Sequence, residues 1–302
     1  MKVLKFAAID IGSNAIRLLF TNVIVEGQRT MFKKVSLVRV PLRLGEDAFL
    51  NHAISERNIK RLEHTLHSFY HLMQAHEVVV YRACATSAMR EAANGKQIVK
   101  KMRKKTGIDV EIIEGKEEAE IIYSNGLTDT MDPDRNYLYI DVGGGSTEVT
   151  IFSDGKSLDS KSFNIGTIRL LNMQVTSAEW RYMKKWVKKA TSGYKDISVI
   201  GSGGNINKMY KIAGKKDGTP MEFQQLNQIY QMLEQYSIEE RMTLWDLNPD
   251  RADVIVPAAS IFVSIMRWSN AERVYVPKIG VSDGLVRQLY KEYADKKNLS
   301  MA

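Results

Sequence analysis

The amino-acid sequence predicts an α/β protein made of two related domains, because one order of secondary structure occurs twice. In each half the hydrophobic pattern predicts three strands and then alternating helices and strands, in the order β-β-β-α-β-α-β-α. In each half the first strand also ends in an aspartate that precedes a glycine turn, Asp10 before Gly12 and Asp141 before Gly143. Two such units are expected to face each other across a cleft, where α/β proteins bind ligands.

The first half opens with a nearly all-apolar strand, which we expect to be buried on both faces. In order, the pattern predicts strands at 4–10, 16–25 and 30–40, a helix at 55–74, a strand at 77–83, helical turns through 85–105, a strand at 109–113 and a helix from 116. Gly107 is expected to end the basic helix, because glycine favours the left-handed conformation of a C-cap.

The second half repeats this order. The pattern predicts strands at 136–142, 147–153 and 155–164, helices to 192, a strand at 197–201, further helices, a strand at 273–277 and a last helix from 282. The turn at 129–136 is the best domain boundary because of its acids, proline and asparagine. We therefore expect domains at 1–130 and 131–302, with the last helix able to pack back on the first domain.

Composition excludes several classes of protein. A chain of 302 residues with 44% hydrophobic and 26% charged residues suits two globular domains. A single cysteine, Cys84, excludes a disulfide framework and favours the reducing cytoplasm. No secretory signal is expected at the start, and the apolar run at 254–266 is too short to span a bilayer. The sequence thus predicts a cytoplasmic protein that does not bind membranes.

The net charge is +8, from 43 basic and 35 acidic residues. A basic excess favours anionic partners, namely nucleic acid, a membrane surface or polyphosphorylated small molecules. The charge is concentrated at 100–105 and 181–190. Such runs form either solvated helix faces or a track for an anionic chain, and the charge pattern alone leaves both interpretations open.

The glycine turns indicate phosphate binding. Glycine has no Cβ, so it can take a positive φ and let backbone N–H groups point into one concave site, and neighbouring hydroxyls suit phosphate oxygens. The alternative is a pair of tight hairpin turns, but a plain hairpin needs neither the acid nor its duplication. The candidate phosphate-binding residues of the two loops are Gly12, Ser13, Asn14, Gly143, Gly144, Gly145, Ser146 and Thr147.

The acids beside the second turn cannot contact phosphate directly, because like charges repel. Asp141 and Glu148 offer hard oxygen ligands that suit Mg²⁺ between carboxylate and phosphate. The alternative to a metal ligand is that the Asp141 carboxylate caps the backbone amides of the glycine turn. We therefore expect these two acids to form a magnesium site.

Two further groups are candidates for chemistry on phosphate. Arg90 follows Thr86 and Ser87 by one helical turn, and its planar guanidinium matches phosphate oxygens, although a surface ion pair is the alternative. Four acids gather where the last strand of the first half turns into a helix. A carboxylate there could orient or deprotonate an attacking water, although acids in a first helical turn also favour the helix dipole. The four acids are Glu114, Glu117, Glu118 and Glu120.

These motifs together resemble the exopolyphosphatase and guanosine pentaphosphate phosphohydrolase family, within the actin-like ATPase superfamily. The matching stretches occur in family order along nearly the whole chain. They are AAIDIGSNAIRLL, PLRLGEDAF, ATSAMREA, IEGKEEAEIIYSNG, IDVGGGSTEV, NIGTIRL, VIGSGGNINKM and KIGVSDGLVRQL.

The resemblance implies two ribonuclease-H-like, actin-like ATPase domains and hydrolysis with Mg²⁺ of the terminal phosphate of inorganic polyphosphate or the 5′ phosphate of guanosine pentaphosphate. It implies Glu118 as the catalytic residue, Asp141 and Glu148 as metal ligands, and Arg90 with the two glycine loops as phosphate-binding residues. It also implies a cofactor loop at Gly201, Gly203 and Gly204. A homodimer that does not bind a specific nucleic acid is expected.

The sequence departs from the family pattern in three ways. Ala15 stands where a second serine is common, and Asn205 stands where a threonine is common, which puts the nucleotide preference of that loop in doubt. The chain also resembles the short form of the family, without extra C-terminal helical domains. Two other functions stay open: a small-molecule kinase of the same superfamily, and a sensor that binds polyphosphate or an alarmone without turnover.

Overall fold

The computed structural model describes residues 1–27, 29–123, 132, 135–277 and 279–297, without the side chains of 119, 122 and 123. The chain divides into two compact units, which comprise residues 1–125 with 280–302, and residues 126–279. The last helix, which the sequence assigns to the second domain with the option of packing on the first, belongs to the first unit. The predicted boundary at 130 and most of the turn around it lie outside the described residues.

The first unit contains a five-stranded sheet in the order β3-β2-β1-β4-β5. The strands are β1 (Lys2–Ile11), β2 (Ile16–Glu26), β3 (Arg29–Val40), β4 (Val80–Ala85) and β5 (Glu111–Ile112). Strands β1, β2 and β3 form an antiparallel meander, and β1, β4 and β5 run parallel. The burial predicted for the apolar first strand is confirmed, since Phe6 to Ile9 have no exposed surface.

Helices of the first unit connect these strands and cover the sheet. They are α1 (Leu44–Asn51), α2 (Glu56–Ala75), α3 (Ser87–Glu91), α4 (Gly95–Thr106), α5 (Gly115–Tyr123) and α13 (Val281–Lys296). Ser55 caps α2 by accepting a hydrogen bond from the backbone N–H of Asn58. Gly107 ends α4 with a φ of 72°, as its sequence predicts. Helix α13 packs on the sheet through Tyr290 and Tyr293, whose rings meet the edge of Phe6.

The second unit repeats this architecture with one added edge strand. Its sheet has the order β10-β11-β9-β6-β7-β8. The strands are β6 (Tyr137–Val142), β7 (Thr147–Ser153), β8 (Lys156–Phe163), β9 (Ser198–Ser202), β10 (Met221–Glu222) and β11 (Arg273–Tyr275). Read from the meander side, β8-β7-β6-β9-β11 matches β3-β2-β1-β4-β5 strand for strand, with the same antiparallel and parallel pairs. The predicted duplication is therefore confirmed.

The second unit is covered by helices, two of which begin with a Thr or Ser capping box. The helices are α6 (Thr167–Leu171), α7 (Ser177–Ala190), α8 (Gly204–Ile212), α9 (Phe223–Glu234), α10 (Ile238–Trp245), α11 (Pro249–Ala252) and α12 (Ile255–Ser269). Thr176 and Glu179 form a capping box on α7, and Ser237 and Glu240 form one on α10. The polar run at 222–246 forms α9 and α10, which lie in the stretch where the sequence predicts further helices between 201 and 273.

The stretch Pro249–Ser269 is long and apolar enough to cross a bilayer by length and composition, and 61% of its most apolar window is buried. Within the second unit, Ala259, Phe262 and Met266 of this stretch belong to the hydrophobic core. The packing of α12 accounts for its apolar composition, as it does in many core helices.

Several boundaries differ from the prediction. Helix α1 was not predicted, because it begins after Arg43 in a left-handed conformation and has no side-chain cap to signal its start. Strand β10 was not predicted either, since two residues are too few to show a period. The strand predicted at 109–113 pairs only at 111–112, and the strand predicted at 77–83 begins at Val80.

Candidate active site

The predicted loops of the first unit emerge side by side from one edge of its sheet. Ile11 of β1 lies opposite Ala85 of β4, and Ala85 lies opposite Ile112 of β5. These three strands are parallel, so the segments that follow them leave the sheet at the same edge. The register therefore brings together the turn after β1, the start of α3 and the start of α5.

The turn after β1 is held by backbone hydrogen bonds on both sides. The N–H of Gly12 donates to the carbonyl of Ala15 at 3.1 Å, which closes the hairpin. The N–H of Gly45 in α1 donates to the carbonyl of Ser13 at 2.8 Å, and that of Arg43 donates to Asn14 at 3.0 Å. Helix α1, in the PLRLGEDAF stretch, thus fixes the predicted phosphate loop.

Gly45 is a residue of this site that the sequence interpretation missed. A Cβ at Gly45 would lie 2.9 Å from the Cβ of Ser13 and 2.8 Å from the ring of Phe49. Only glycine lets α1 approach the turn this closely. No local signal marked Gly45, because α1 has no side-chain cap at its start.

Side chains of two loops also meet directly. The hydroxyls of Ser13 and Ser87 are 2.8 Å apart and hydrogen bonded, and both residues are buried. The N–H of Thr86 donates to the carbonyl of Ile11 at 3.1 Å. The structure therefore brings the predicted residues Ser13 and Ser87 together.

Arg90 lies at the junction of β5 and α5. Its Nη1 donates to the carbonyl of Ile113 at 2.7 Å, and its Nε lies 4.0 Å from a carboxylate oxygen of Glu114. Glu114 is exposed, so this ion pair is weak, and the Arg90 side chain itself is 17% exposed. Its predicted phosphate contact stays a prediction.

Glu118 lies in the first turn of α5 and is buried, with 8% of its surface exposed. Its N–H donates to the carbonyl of Glu114 at 2.9 Å, which starts the helix. Of the four clustered acids, Glu118 alone is buried, whereas Glu114 and Glu120 are exposed and Glu117 is half-buried. The buried position distinguishes Glu118 from acids that only favour the helix dipole.

The position of α5 is fixed by contacts that the sequence does not reveal. Arg82 of β4 bridges Glu111 at 2.8 Å and Glu117 at 3.1 Å, and it also donates to Gln288 of α13 at 3.0 Å. Burial of Arg82 lowers its pKa, but the hydrogen bond to Glu111 and the nearby carboxylates outweigh burial and raise the pKa overall. Arg82 therefore stays charged and holds the first turn of α5.

In the second unit the glycine turn after β6 is held by backbone contacts with α6. The N–H of Gly143 donates to the carbonyl of Ser146 at 2.9 Å. The N–H groups of Thr167 and Ile168 donate to the carbonyls of Gly143 and Gly144 at 3.0 and 2.8 Å. The carbonyl oxygens of the turn therefore accept hydrogen bonds from α6. The other side of the turn, where backbone N–H groups point outward, is the side suited to an anion.

The glycine turn does not use the positive φ that glycine allows. None of Gly143, Gly144 and Gly145 takes a left-handed φ. The turn is instead close to another backbone: a Cβ at Gly166 would lie 2.4 Å from the carbonyl oxygen of Gly144, and Nε of Arg169 donates to the carbonyl of Gly145 at 2.7 Å. Close packing against the segment at 166–169 therefore dictates this turn.

Ser146 and Thr147 are both buried at the start of β7. The Thr147 hydroxyl donates to the carbonyl of Ile165 at 2.5 Å, so it fixes the turn to the end of β8. This bond gives Thr147 a structural role beside the predicted contact with phosphate.

The two copies of the hairpin differ at one cross-strand pair. In the first unit Asp10 lies opposite Arg17, and their side chains form an ion pair at 2.9 Å. In the second unit Asp141 lies opposite Glu148. Directly opposed residues on antiparallel strands share one face of the sheet, so the second unit presents two carboxylates where the first has an acid and a base.

This acidic pair fits a magnesium ion. Mg²⁺ is commonly bound by one or two carboxylates together with water and phosphate oxygens. In the part of the chain that the structure describes, no group of three or more His, Cys, Asp or Glu side chains could hold a metal, so a closed structural zinc site is not formed there. Ser162 donates a hydrogen bond at 2.8 Å to Oε1 of Glu148 and thereby orients this carboxylate.

The loop after β9 lies beside this pair, because Ser202 is in register with Asp141. Gly203 has a φ of 108°, and a Cβ there would lie 3.3 Å from Oδ1 of Asp141. Gly204 begins α8, whose N-terminal amides can bind an anion. Gly201 is buried, and a Cβ would lie 2.9 Å from Ile206, so core packing explains this glycine without a ligand.

Comparison with known proteins assigns the family. A model of the Ppx/GppA phosphatase family matches residues 23–292, which is most of the chain. The chain belongs to the Ppx/GppA phosphatase family.

Relatives in this family carry several names. A bifunctional 3-dehydroquinate synthase/phosphatase of Fusobacterium nucleatum is 28% identical over 89% of the chain and 44% of its own length. A guanosine-5′-triphosphate,3′-diphosphate pyrophosphatase of Aliivibrio fischeri is 25% identical over 93% of the chain and 58% of its own length. Exopolyphosphatase 1 of Mycobacterium tuberculosis is 23% identical over 97% of the chain and 90% of its own length. The chain thus spans about half of two of these relatives and most of the third.

A solved structure supports the family fold. The exopolyphosphatase of Cytophaga hutchinsonii superposes with a TM-score of 0.81 and 23% identity, and the match covers 98% of this chain and 99% of that one. At this identity the likeness establishes the fold. The two units are therefore the ribonuclease-H-like, actin-like domains that the sequence predicts.

Proposed function

We propose that the protein is a phosphoanhydride hydrolase that releases the terminal phosphate of inorganic polyphosphate or the 5′ phosphate of guanosine pentaphosphate. One observation carries the proposal. The segment that carries the buried carboxylate of Glu118 starts at the same edge of the sheet as the loops of Ser13 and Ser87, which are hydrogen bonded to each other. The names of the Aliivibrio and Mycobacterium relatives support these two substrate classes.

In this proposal Glu118 orients and deprotonates the attacking water. A buried carboxylate near a polyanion suits a general base, because its position is fixed and bulk water competes little. Backbone N–H groups of each glycine turn bind phosphate oxygens, and Arg90 neutralises charge that develops on the phosphoryl group. Positioning and electrostatic stabilisation of this kind account for most of the catalysis of phosphoryl transfer.

Asp141 and Glu148 would hold Mg²⁺, and Ser162 would orient Glu148. When bound there, Mg²⁺ would neutralise phosphate charge near the glycine turn of the second unit. The paired carboxylates themselves would otherwise repel the substrate, so we expect binding of polyphosphate to weaken when the ion is removed.

A small-molecule kinase of the same superfamily is the second candidate, favoured only by the shared fold. A kinase would need an acceptor, whereas water is the acceptor of a hydrolase. A sensor without turnover is the third candidate, and the buried Glu118 disfavours it. The homodimer and the cytoplasmic location stay predictions from the sequence.

The purified protein is tested with long-chain polyphosphate, tripolyphosphate, guanosine pentaphosphate and ATP, each with Mg²⁺ or with EDTA. We expect phosphate release from polyphosphate or guanosine pentaphosphate that needs Mg²⁺ and no added acceptor. Release of phosphate from none of the four substrates would contradict hydrolysis. Consumption of ATP only after an alcohol or sugar is added would favour the kinase.

A further inference from the structure

One side chain, Arg169 of α6, completes the contacts that hold the glycine turn of the second unit. Three successive carbonyl groups of the turn each accept a hydrogen bond from the segment at 167–169. The donors are the N–H of Thr167 to Gly143 at 3.0 Å, the N–H of Ile168 to Gly144 at 2.8 Å, and Nε of Arg169 to Gly145 at 2.7 Å. The first two donors belong to the backbone, so of these three only the bond from Arg169 can be removed by a substitution.

These three bonds determine the direction in which the amides of the turn point. In a planar trans peptide the N–H points away from the carbonyl of the preceding residue. The N–H groups of Gly144, Gly145 and Ser146 therefore all point away from the segment at 167–169. Successive backbone N–H groups that point to one side form a concavity that binds anions.

The amides of the turn are not used within the fold. Among the described residues, none of the N–H groups of Gly144, Gly145 and Ser146 has a hydrogen-bond acceptor. Gly145 and Ser146 are nevertheless buried. Backbone N–H groups in such surroundings are nearly always hydrogen bonded in folded proteins. A bound anion would supply the acceptor that the fold itself does not provide.

The first unit holds the equivalent carbonyl in a different way. Asn14 and Gly145 are equivalent, since each lies four residues after the aspartate of its hairpin. The carbonyl of Asn14 accepts a hydrogen bond from the backbone N–H of Arg43 at 3.0 Å. In the second unit the guanidinium of Arg169 takes the place of this backbone donor. It brings a positive charge that a backbone N–H does not have.

A charged donor on a carbonyl affects the amide that follows it. The bond from Arg169 fixes the plane of the peptide between Gly145 and Ser146. It also polarises that peptide, so the N–H of Ser146 becomes a stronger donor. We propose that Arg169 is a positioning residue that orients the N–H of Ser146 toward a phosphate oxygen of the substrate, an inference that rests on the proposed function. In this role Arg169 acts through the turn and not by contact with the substrate.

The test replaces Arg169 with Met, which keeps an aliphatic stem and removes the donor. The probe is the methylene-bridged analogue of tripolyphosphate with Mg²⁺, which cannot be hydrolysed. We expect its dissociation constant to rise by about tenfold or more. In amide NMR spectra the analogue should shift the Gly144 and Ser146 signals of the wild type, and the Ser146 shift should be lost in Arg169→Met. Arg267→Met is the matched control, because Arg267 is exposed on α12 and its guanidinium donates only to Asn227, at 3.4 Å, among the described residues.

Two further measurements separate positioning from a structural role. Urea unfolding of Arg169→Met measures any loss of stability, and a structural role alone would lower the free energy of unfolding without changing the Ser146 shift. Arg169→Lys keeps a charged donor and should bind the analogue within about threefold of the wild type. A Lys variant that binds as weakly as the Met variant would overturn the role of the charged donor.

Because the analogue is not hydrolysed, the result does not depend on turnover. Weaker binding together with loss of the Ser146 shift in Arg169→Met supports the positioning role even if the wild type releases no phosphate. Wild-type binding in Arg169→Met, or an unchanged Ser146 shift, overturns the positioning role even if phosphate release is normal. A wild-type protein whose Ser146 signal does not respond to the analogue would overturn it as well.

Discussion

At the scale of single residues, the two hairpins differ in the residue that lies opposite the aspartate. Asp10 is neutralised by Arg17 at 2.9 Å, whereas Asp141 faces Glu148 across the same strand positions. A carboxylate with a cationic partner has little need of a metal, and two opposed carboxylates need a cation between them or a hydrogen-bonded environment. This difference is the reason that we propose the metal site in the second unit.

Replacement of Asp141 by Asn tests this assignment. With one charged ligand removed, the Mg²⁺ concentration that gives half-maximal phosphate release should rise by about tenfold or more. The measurement is phosphate release as a function of Mg²⁺ concentration.

Asp10→Asn is the control at the equivalent position. It weakens the ion pair with Arg17 and should lower the free energy of unfolding by about 1–3 kcal/mol, because Asp10 is buried. The Mg²⁺ dependence should stay as in the wild type. A similar shift in Mg²⁺ dependence for both variants would contradict a metal site at Asp141.

Cys84 gives a second prediction at this scale. Burial raises the pKa of its thiol to about 12, so the thiolate that reacts with alkylating reagents is scarce at pH 8. We expect iodoacetamide to label the native protein slowly at pH 8 and to label the urea-unfolded protein rapidly. Rapid labelling of the native protein, measured by mass spectrometry, would show that β4 is not packed as described.

The sequence predicts only some of the features of the candidate site residues. The repeated acid and glycine turn identified both hairpins, because their spacing is local. The close packing of the second glycine turn against Gly166 could not be predicted, since Gly166 lies more than twenty residues further along the chain. The sequence could have shown that Glu148 stands at the position equivalent to Arg17. The register of each hairpin places Asp10 opposite Arg17 and Asp141 opposite Glu148.

At the scale of elements, α13 holds α5. A Cβ on Gly284 of α13 would lie 1.9 Å from the carbonyl oxygen of Ile121 in α5. Gln288 of α13 accepts a hydrogen bond from Arg82, which also binds Glu117. The two helices therefore share a contact that leaves no space for a methyl group and that fixes the helix carrying Glu118.

Gly284→Ala tests this contact. In an exposed helix the substitution would raise stability by about 1 kcal/mol, but here overpacking should lower it by about 1–3 kcal/mol. Because α5 must shift, kcat should fall more than KM changes. The measurements are urea unfolding and steady-state kinetics.

Gly280→Ala is the matched control. In the part of the chain that the structure describes, no atom outside the two adjacent residues lies within 4 Å of a Cβ at Gly280, and its φ is extended at −159°. The control should therefore have nearly wild-type kinetics. Wild-type kinetics for Gly284→Ala as well would show that α5 does not depend on this contact.

The elements with a clear period were predictable, and those set by tertiary contacts were not. The apolar strand β1 and the capped helix α2 follow from local pattern and a serine cap. Helix α1 begins at a left-handed arginine, and its first turn bonds to Ser13 and Asn14. That start depends on a residue about thirty positions earlier, so no local signal could show it.

At the scale of the whole molecule, the first unit is discontinuous. Residues 280–302 join it after the entire second unit, and Lys34 of β3 forms an ion pair with Asp283 of α13 at 2.8 Å. The rings of Tyr290 and Phe32 meet at 5.6 Å. The last helix thus completes the hydrophobic core of the first unit.

Removal of residues 280–302 should therefore destabilise the first unit selectively. We expect hydrogen exchange to become fast in residues 1–123 of the truncated protein, because β1 loses its cover. Protection in 135–277 should stay close to that of the full chain. Equal loss of protection in both units would contradict their division into separate compact units.

The central claim is that Glu118 activates water in a phosphoanhydride hydrolase. It is tested most directly by phosphate release from polyphosphate and from guanosine pentaphosphate, measured for the wild type, Glu118→Gln and Glu120→Gln. Glu120 is an exposed acid on the same helix and serves as the control. We predict that kcat falls by about a hundredfold or more in Glu118→Gln, with substrate binding retained, and that Glu120→Gln matches the wild type. A fully active Glu118→Gln protein would contradict the account.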